Sequence, residues 1–231
     1  MATDFSYDQR PKARKTLVPP ATAVSMARAL VAEMDQTWTR GPAYNAENNR
    51  VQTYTRFLYG EKWFARLSVH DEPWEWFDYG LLRDHTENEC DYISSLESFT
   101  EFYPTDDLGW RGVHLIFKFI FPLSRRDIAE YILAVQPDPA VREFFVLSVP
   151  ADEPVTPGHV KGQYSSIERV VQLDNGQIQW TMATVGGGGG PIPKPIQDIF
   201  FPRIIANNVP SFLSWARRRL TAEQIASRAY R

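Results

Sequence analysis

The sequence predicts an α+β fold, a curved antiparallel sheet closed by one long C-terminal helix, with an apolar tunnel between them. Three observations predict it. From Gly112 onward, short runs alternate their side chains as strands do, with Val113, Leu115, Phe117 and Phe119 on one side and His114, Ile116, Lys118 and Ile120 on the other. Five consecutive glycines, Gly186 to Gly190, then interrupt the pattern. Ile196, Ile199, Phe200, Ile204, Val209, Phe212, Leu213, Ala216 and Leu220 follow at helical spacing over about 25 residues.

Each element can be justified in order. Residues 1–20 are polar, end in Pro19-Pro20, and read as an arm. Thr22 to Trp38 reads as a helix stopped by Gly41-Pro42. Val51 to Leu58 and Lys62 to His70 form a predicted hairpin around Tyr59-Gly60. Trp74, Phe77, Leu81, His85, Asn88 and Tyr92 share one face of a helix running to Ser95, and Phe99 to Tyr103 is a short strand. After Pro122, strands are expected at Asp127–Val135, Arg142–Val149 and His159–Leu173. The turn Asp174-Asn175-Gly176 returns the chain into a strand at Ile178–Thr184. The glycine run reads either as a hinge for the last helix or as a loop with no role. Pro202 and Pro210 are expected to kink or divide that helix.

Composition narrows the function classes. A chain of 231 residues fits one domain beyond the arm, residues 21–231. Net charge is −3 with no long basic run, so nothing points to nucleic acid. Arg217, Arg218 and Arg219 sit where the last helix ends and suit the negative end of its dipole. Cys90 is the sole cysteine, which excludes a disulfide framework and suits a reducing compartment. Met1 to Arg10 lacks a signal-peptide core, and the greasiest stretch, Val113 to Leu123, contains His114 and Lys118 and is too short to span a bilayer. The expectation is a soluble cytoplasmic protein without integral membrane association. Histidines at 70, 85, 114 and 159 are too scattered for a metal set, and no nucleotide fingerprint or Ser/His/Asp order is evident, so neither cofactor nor metal is expected. Aromatics make up 13% of the chain, enough for either an aromatic core or an aromatic-lined pocket.

Several blocks carry a family resemblance. They are Leu123-Ser124-Arg125-Arg126-Asp127, Gly162 to Val170, Trp180-Thr181-Met182-Ala183-Thr184, Pro191-Ile192-Pro193 after the glycines, and Asn208 to Trp215, with an earlier segment from His85 to Tyr92. In order and spacing they resemble fungal START-like proteins of the helix-grip, Bet v 1-like (SRPBCC) superfamily. The resemblance implies an apolar tunnel between sheet and C-terminal helix. The superfamily holds lipid and sterol carriers and polyketide cyclases, and members similar to this chain occur in secondary metabolism, including phenalenone-type pathways. The implied activity is cofactor-free cyclisation of a prenylated aromatic polyketide by hydroalkoxylation, a phenol oxygen adding across an alkene. The alternative is a lipid, sterol or polyketide carrier.

Such a ring closure needs a proton donor, a base and walls that tolerate a carbocation. Glu168 lies mid-strand on one face with Tyr164, Ser166 and Val170, and becomes an acid with a hydroxyl relay if that face looks inward. If the face is solvated, Glu168 pairs with a neighbouring strand. His114 and Lys118, about 13 Å apart along a strand, either orient a polyphenol or are a core histidine and a snorkelling lysine. His85 and Glu89, four apart on a helix, form either an acid/base dyad or a structural hydrogen bond. Arg111 meets a phenolate or a surface carboxylate. Trp110, Trp180, Phe200 and Trp215 are candidate substrate walls or ordinary core.

Overall fold

Which side chains face the long helix is decided by strand register. The computed structural model describes residues 5–46, 49–118, 124–187, 189 and 194–220. The second part of the Val113–Leu123 stretch, Gly188, Gly190 and Pro191-Ile192-Pro193 lie outside these residues.

The chain opens with α1 (Pro20–Val31) and the short α2 (Met34–Thr37), then β1 (Thr39–Ala46), β2 (Asn49–Leu58) and β3 (Glu61–His70). Next come α3 (Trp74–Phe77), a π-helical turn (Asp78–Leu82), α4 (His85–Tyr92), β4 (Leu96–Tyr103) and β5 (Arg111–Phe117). The chain continues through β6 (Arg126–Val135), β7 (Glu143–Pro150), β8 (Val160–Lys161), β9 (Gln163–Gln172), β10 (Ile178–Gly187) and α5 (Lys194–Arg219). The strands pair antiparallel in the order β1-β2-β3-β10-β9-β7-β6-β5-β4, with β8 parallel to β6. A single large sheet and one late helix form the α+β architecture expected.

Both faces of the sheet are covered, which alternation alone did not reveal. Toward α5 the sheet presents Val113, Leu115, Ile132, Phe144, Val146, Val170, Ile178 and Trp180, packed with Phe77, Tyr92, Val209, Phe212, Leu213 and Trp215. Ala129, Tyr131, Leu133, Phe145, Leu147, Ile167, Ala183 and Val185 point the other way, beneath α1 and the N-terminal Phe5, Tyr7, Leu17 and Val18. Tyr7 donates its hydroxyl to Ala23 O at 2.9 Å, tying the arm to α1.

Five local expectations are corrected or decided. The helix over Thr22 to Trp38 breaks at Glu33 (φ 49), and that turn lets Met34 and Trp38 both reach the outer core. Gly41-Pro42 lies inside β1, because an edge strand with a register shift between Arg40 and Ala43 tolerates proline. The helix from Trp74 is interrupted at Asp84 (φ 46), where the Asn88 amide donates to Tyr79 O and Arg83 O, each at 2.9 Å. The strand from His159 bends at Gly162, where a Cβ would lie 2.7 Å from Ile128 Cγ1. Proline does not divide α5: Lys194 to Arg219 is one helix with Pro202 and Pro210 inside it.

Two glycines are demanded by close approach. Gly189 has φ 61, and a Cβ there would lie 2.1 Å from Lys161 O, so this part of the glycine run serves packing against β8. At Gly80 a Cβ would lie 2.5 Å from Phe212 Cε2 and 2.8 Å from Trp215 Cζ3, both fully packed rings of α5. Gly80→Ala is expected to destabilise the fold by about 1–3 kcal/mol through overpacking. Urea unfolding midpoints check it, and an unchanged midpoint would contradict this packing.

Candidate functional site

The residues facing α5 carry a polar band across an otherwise apolar surface. Register places Met182 of β10 between Arg66 of β3 and Glu168 of β9. Glu130 of β6 shares the same face, since its neighbours Ala129 and Tyr131 belong to the outer core. Tyr164 and Ser166 of β9 lie on the Glu168 side, and α4 contributes His85 and Glu89.

Arg66 is the band's cation. Its side chain is 1% exposed, its Nη2 lies 3.7 Å from Glu168 Oε2, and its guanidinium carbon stands 3.9 Å over the Trp180 ring. Trp180 Nε1 donates to the same Glu168 oxygen at 2.6 Å. Neither Nε nor Nη1 of Arg66 has a hydrogen-bond partner among the described residues. Glu168 is thus held from two sides and oriented by rigid groups.

The other two carboxyls lack such a cation. Burial pushes Glu130 well above the usual carboxylate range, the charge of Glu89 adds to the rise, and a hydrogen bond with Ser148 opposes it. Glu130 Oε2 has no partner among the described residues. Burial likewise raises Glu89, with Glu168 adding to the rise and His85 opposing it. Glu89 keeps 15% of its side-chain surface. Burial, then Glu168 and Glu130, pushes the Tyr164 hydroxyl well up. A buried carboxyl without a cation takes up a proton instead of remaining charged. The site therefore joins an ion pair to two carboxyls whose titration burial shifts upward.

His85 Nδ1 pairs with Leu81 O at 2.9 Å, while its Nε2 lies 3.4 Å from Glu89 Oε2. The backbone contact directs the Nδ1 proton to Leu81 and leaves Nε2 toward Glu89.

Glu168, Tyr164, His85, Glu89 and Trp180 of the sequence candidates come together here; the remaining ones do not. His114 turns to the opposite face of β5, where its Nδ1 meets Asp127 Oδ1 at 2.8 Å and Phe102 packs on its ring. Asp127 also accepts from the Thr156 N–H at 2.7 Å, so this pair fastens a loop to the sheet. Lys118 is exposed. Trp110 is fully buried in the outer core and donates to Val18 O at 2.9 Å, away from the helix-facing surface. Phe200 is 57% exposed on α5, because Ile205, Val209 and Phe212 turn to the protein and leave Ile199, Phe200 and Ile204 outside. Arg111 binds Glu87 of α4 at 2.8 Å, the carboxylate alternative. Trp215 is buried, 3.3 Å from Asp91 Oδ2, within the ring cluster of Tyr92 and Phe212.

Arg66 and Glu130 escaped the sequence reading. Each is a lone charge inside an apolar strand segment, Trp63-Phe64-Ala65-Arg66-Leu67 and Ile128-Ala129-Glu130-Tyr131-Ile132. That interruption was the available signal.

The space beneath α5 is unevenly filled. Under its second half, Phe212 stacks against Phe77, Trp180, Tyr92 and Trp215 at centroid distances of 5.2–6.0 Å. The apolar tunnel expected there is occupied by rings. Beside the first half lies a cavity of about 360 Å³ lined by Gln163, Gly186, Asp198 and Phe201, among others. Its wall adjoins the band, because Gly186 pairs with Tyr164 and Phe201 packs on Phe64 at 5.0 Å.

Among the described residues no cluster of three or more potential metal ligands occurs, and no helix is long and apolar enough to cross a membrane.

Comparison with known proteins speaks to the fold. A family model described as "Protein of unknown function (DUF3074)" matches residues 63–216. No curated protein matches the sequence. Human StAR-related lipid transfer protein 5 is similar in structure, with TM-score 0.68 and 14% identity over 86% of this chain and 98% of its own. Human STARD10 gives a TM-score of 0.66 and 12% identity, covering 92% of this chain and 89% of its own. The StAR-related lipid transfer protein fragment from Xanthomonas axonopodis gives 0.63 and 15%, covering 78% and 98%. Identities this low carry the START-like helix-grip fold and leave the ligand open.

Proposed function

We propose that this chain, which belongs to the DUF3074 family and has a START-like fold, encloses a largely apolar small molecule and closes a ring on it without a cofactor. The observation that supports the reading is that Glu168 is paired with the buried Arg66 guanidinium while Glu89 and Glu130, in electrostatic reach of one another, are shifted upward by burial. Glu130, shifted well upward by burial, is the carboxyl suited to hold a proton and give it up.

The reaction that fits these groups is intramolecular hydroalkoxylation of a prenylated aromatic polyketide. The alkene π pair takes a proton from the neutral Glu130 carboxyl, leaving a tertiary carbocation and a carboxylate. The Phe201 ring, which lines the cavity, stabilises the cation. The phenol oxygen attacks the cation, and its proton passes to Glu168, with Tyr164 as relay, before the acid is restored. No atom is gained or lost. Glu89, tuned by His85, is a second proton reserve within electrostatic reach of Glu130.

Incubating the purified protein with prenylated phenols tests the reading. A product of unchanged mass and altered chromatographic retention is expected. The second reading, a carrier, is favoured by the names of two of the similar structures, which are StAR-related lipid transfer proteins. It predicts bound ligand recovered unaltered, and that result would end the cyclase reading.

Glu130 also gives a pH prediction independent of substrate. Its folded-state pKa is raised, so the native state holds a proton that the unfolded chain releases. The stability it contributes is fully present below the ordinary glutamate value of about 4.3 and is lost as pH rises toward the folded value. Glu130→Gln cannot ionise. Its melting temperature relative to wild type is expected to climb from about pH 4 to about pH 8, and parallel melting curves would contradict a raised Glu130.

A further inference from the structure

No serine–histidine–acid order stands out by spacing, yet β3 and the turn after it line one up next to Arg66. We propose that Ser68, His70 and Glu72 act as nucleophile, general base and positioning carboxylate, with Arg66 facing the developing oxyanion, and that the protein cleaves an apolar ester by acyl transfer to Ser68.

Residues two apart on a strand project to the same side, so Arg66, Ser68 and His70 share the α5-facing surface of β3. Ser68 Oγ lies 2.8 Å from His70 Nε2. His70 Nδ1 lies 3.8 Å from Glu72 Oε2, an ion-pair distance longer than a hydrogen bond. A carboxylate on the Nδ1 side favours the tautomer protonated there, which leaves Nε2 to accept the Ser68 proton. The ring is fixed from other directions by Phe77 at 5.3 Å and Trp180 at 6.3 Å between centroids. Ser68 and His70 are each 1% exposed.

The unsatisfied atoms distinguish this row from ordinary core. His70 Nδ1, Glu72 Oε2, Arg66 Nε and Arg66 Nη1 all lack a hydrogen-bond partner among the described residues. Four uncompensated polar atoms around one strand are costly to a fold, and they are the atoms that acyl transfer uses. Burial, with Arg66 adding and Asp71 opposing, lowers His70 to about 4, so the ring is neutral near neutral pH.

The balance is that of ester hydrolysis. Ser68 Oγ bonds to the carbonyl carbon while its proton moves to His70 Nε2, and the oxyanion forms against Arg66. Collapse breaks the carbon–alkoxy bond, and the leaving alcohol takes the proton from His70. Water, deprotonated by the same nitrogen, then releases the acid and restores Ser68. Ester and water become acid and alcohol.

The test is labelling of the full chain with a long-chain alkyl fluorophosphonate, read by intact mass and peptide mapping. One phosphonyl adduct on Ser68 is expected, absent in Ser68→Ala and slowed at least about tenfold in His70→Gln. Glu72 acts through His70, so Glu72→Gln slows labelling and Glu72→Asp restores much of it. Circular dichroism shows whether the variants fold, and the wild-type adduct site is decisive without them. No adduct on Ser68, or a rate indifferent to His70→Gln in a folded variant, overturns the proposal. Ring closure runs through Glu130 and not Ser68, so Glu130→Gln still labels if only the cyclase reading fails.

Discussion

Glu168→Ala is expected to destabilise the protein by about 3–5 kcal/mol, because Glu168 is the anion paired with the Arg66 guanidinium among the described residues. Arg66 is 1% exposed by side chain and Glu168 9%, so water cannot take over for either partner. Arg66→Met alone should cost a similar amount, leaving Glu168 with only the Trp180 N–H. The double variant Arg66→Met/Glu168→Met should recover most of the loss, since replacing a buried pair by apolar groups of similar volume is often neutral. Chemical denaturation of all four proteins closes the cycle. Additive losses would show that the two side chains do not form a coupled buried pair.

The second large effect concerns turnover. Once an isomerised substrate is in hand, Glu130→Gln is expected to lower the rate by about 10²–10⁴-fold, the range a positioned general acid supplies. Glutamine keeps the shape and the Ser148 contact but cannot give a proton, so substrate affinity should stay near that of wild type. Loss of binding together with rate would assign Glu130 to ligand anchoring, and a rate close to wild type would remove it from the chemistry.

The strands β5, β6, β7, β9 and β10 were legible because alternation and the Asp174-Asn175-Gly176 turn act locally, and Gly176 does adopt φ 87. Which face looks inward was not. On β5 both sides are largely apolar, Val113 and Leu115 toward α5, Ile116 away from it. The reason is long-range: Phe5, Tyr7, Leu17 and Val18 cover the outer face, and nothing in β5 encodes the arrival of a segment about a hundred residues earlier. His114 was placed with the inner candidates on that ambiguity, and Asp127 holds it outside. Glu168 and Tyr164 were found because their strand is polar on one face at regular spacing. Arg66 and Glu130 were missed because single charges in apolar strands look like exceptions until register brings them to one surface. The breaks at Glu33 and Asp84 were invisible for a similar reason: both residues adopt left-handed backbone without being glycine, which no local residue type announces.

Infrared difference spectroscopy of wild type against Glu130→Gln tests most directly whether a protonated acid sits in the enclosed band. The account predicts the carbonyl stretch of a neutral carboxylic acid in wild type at about pH 6, where ordinary glutamates are ionised, and its loss in the variant. Two spectra without such a band would mean that Glu130 is an ordinary carboxylate, and the proposed proton donor would be gone.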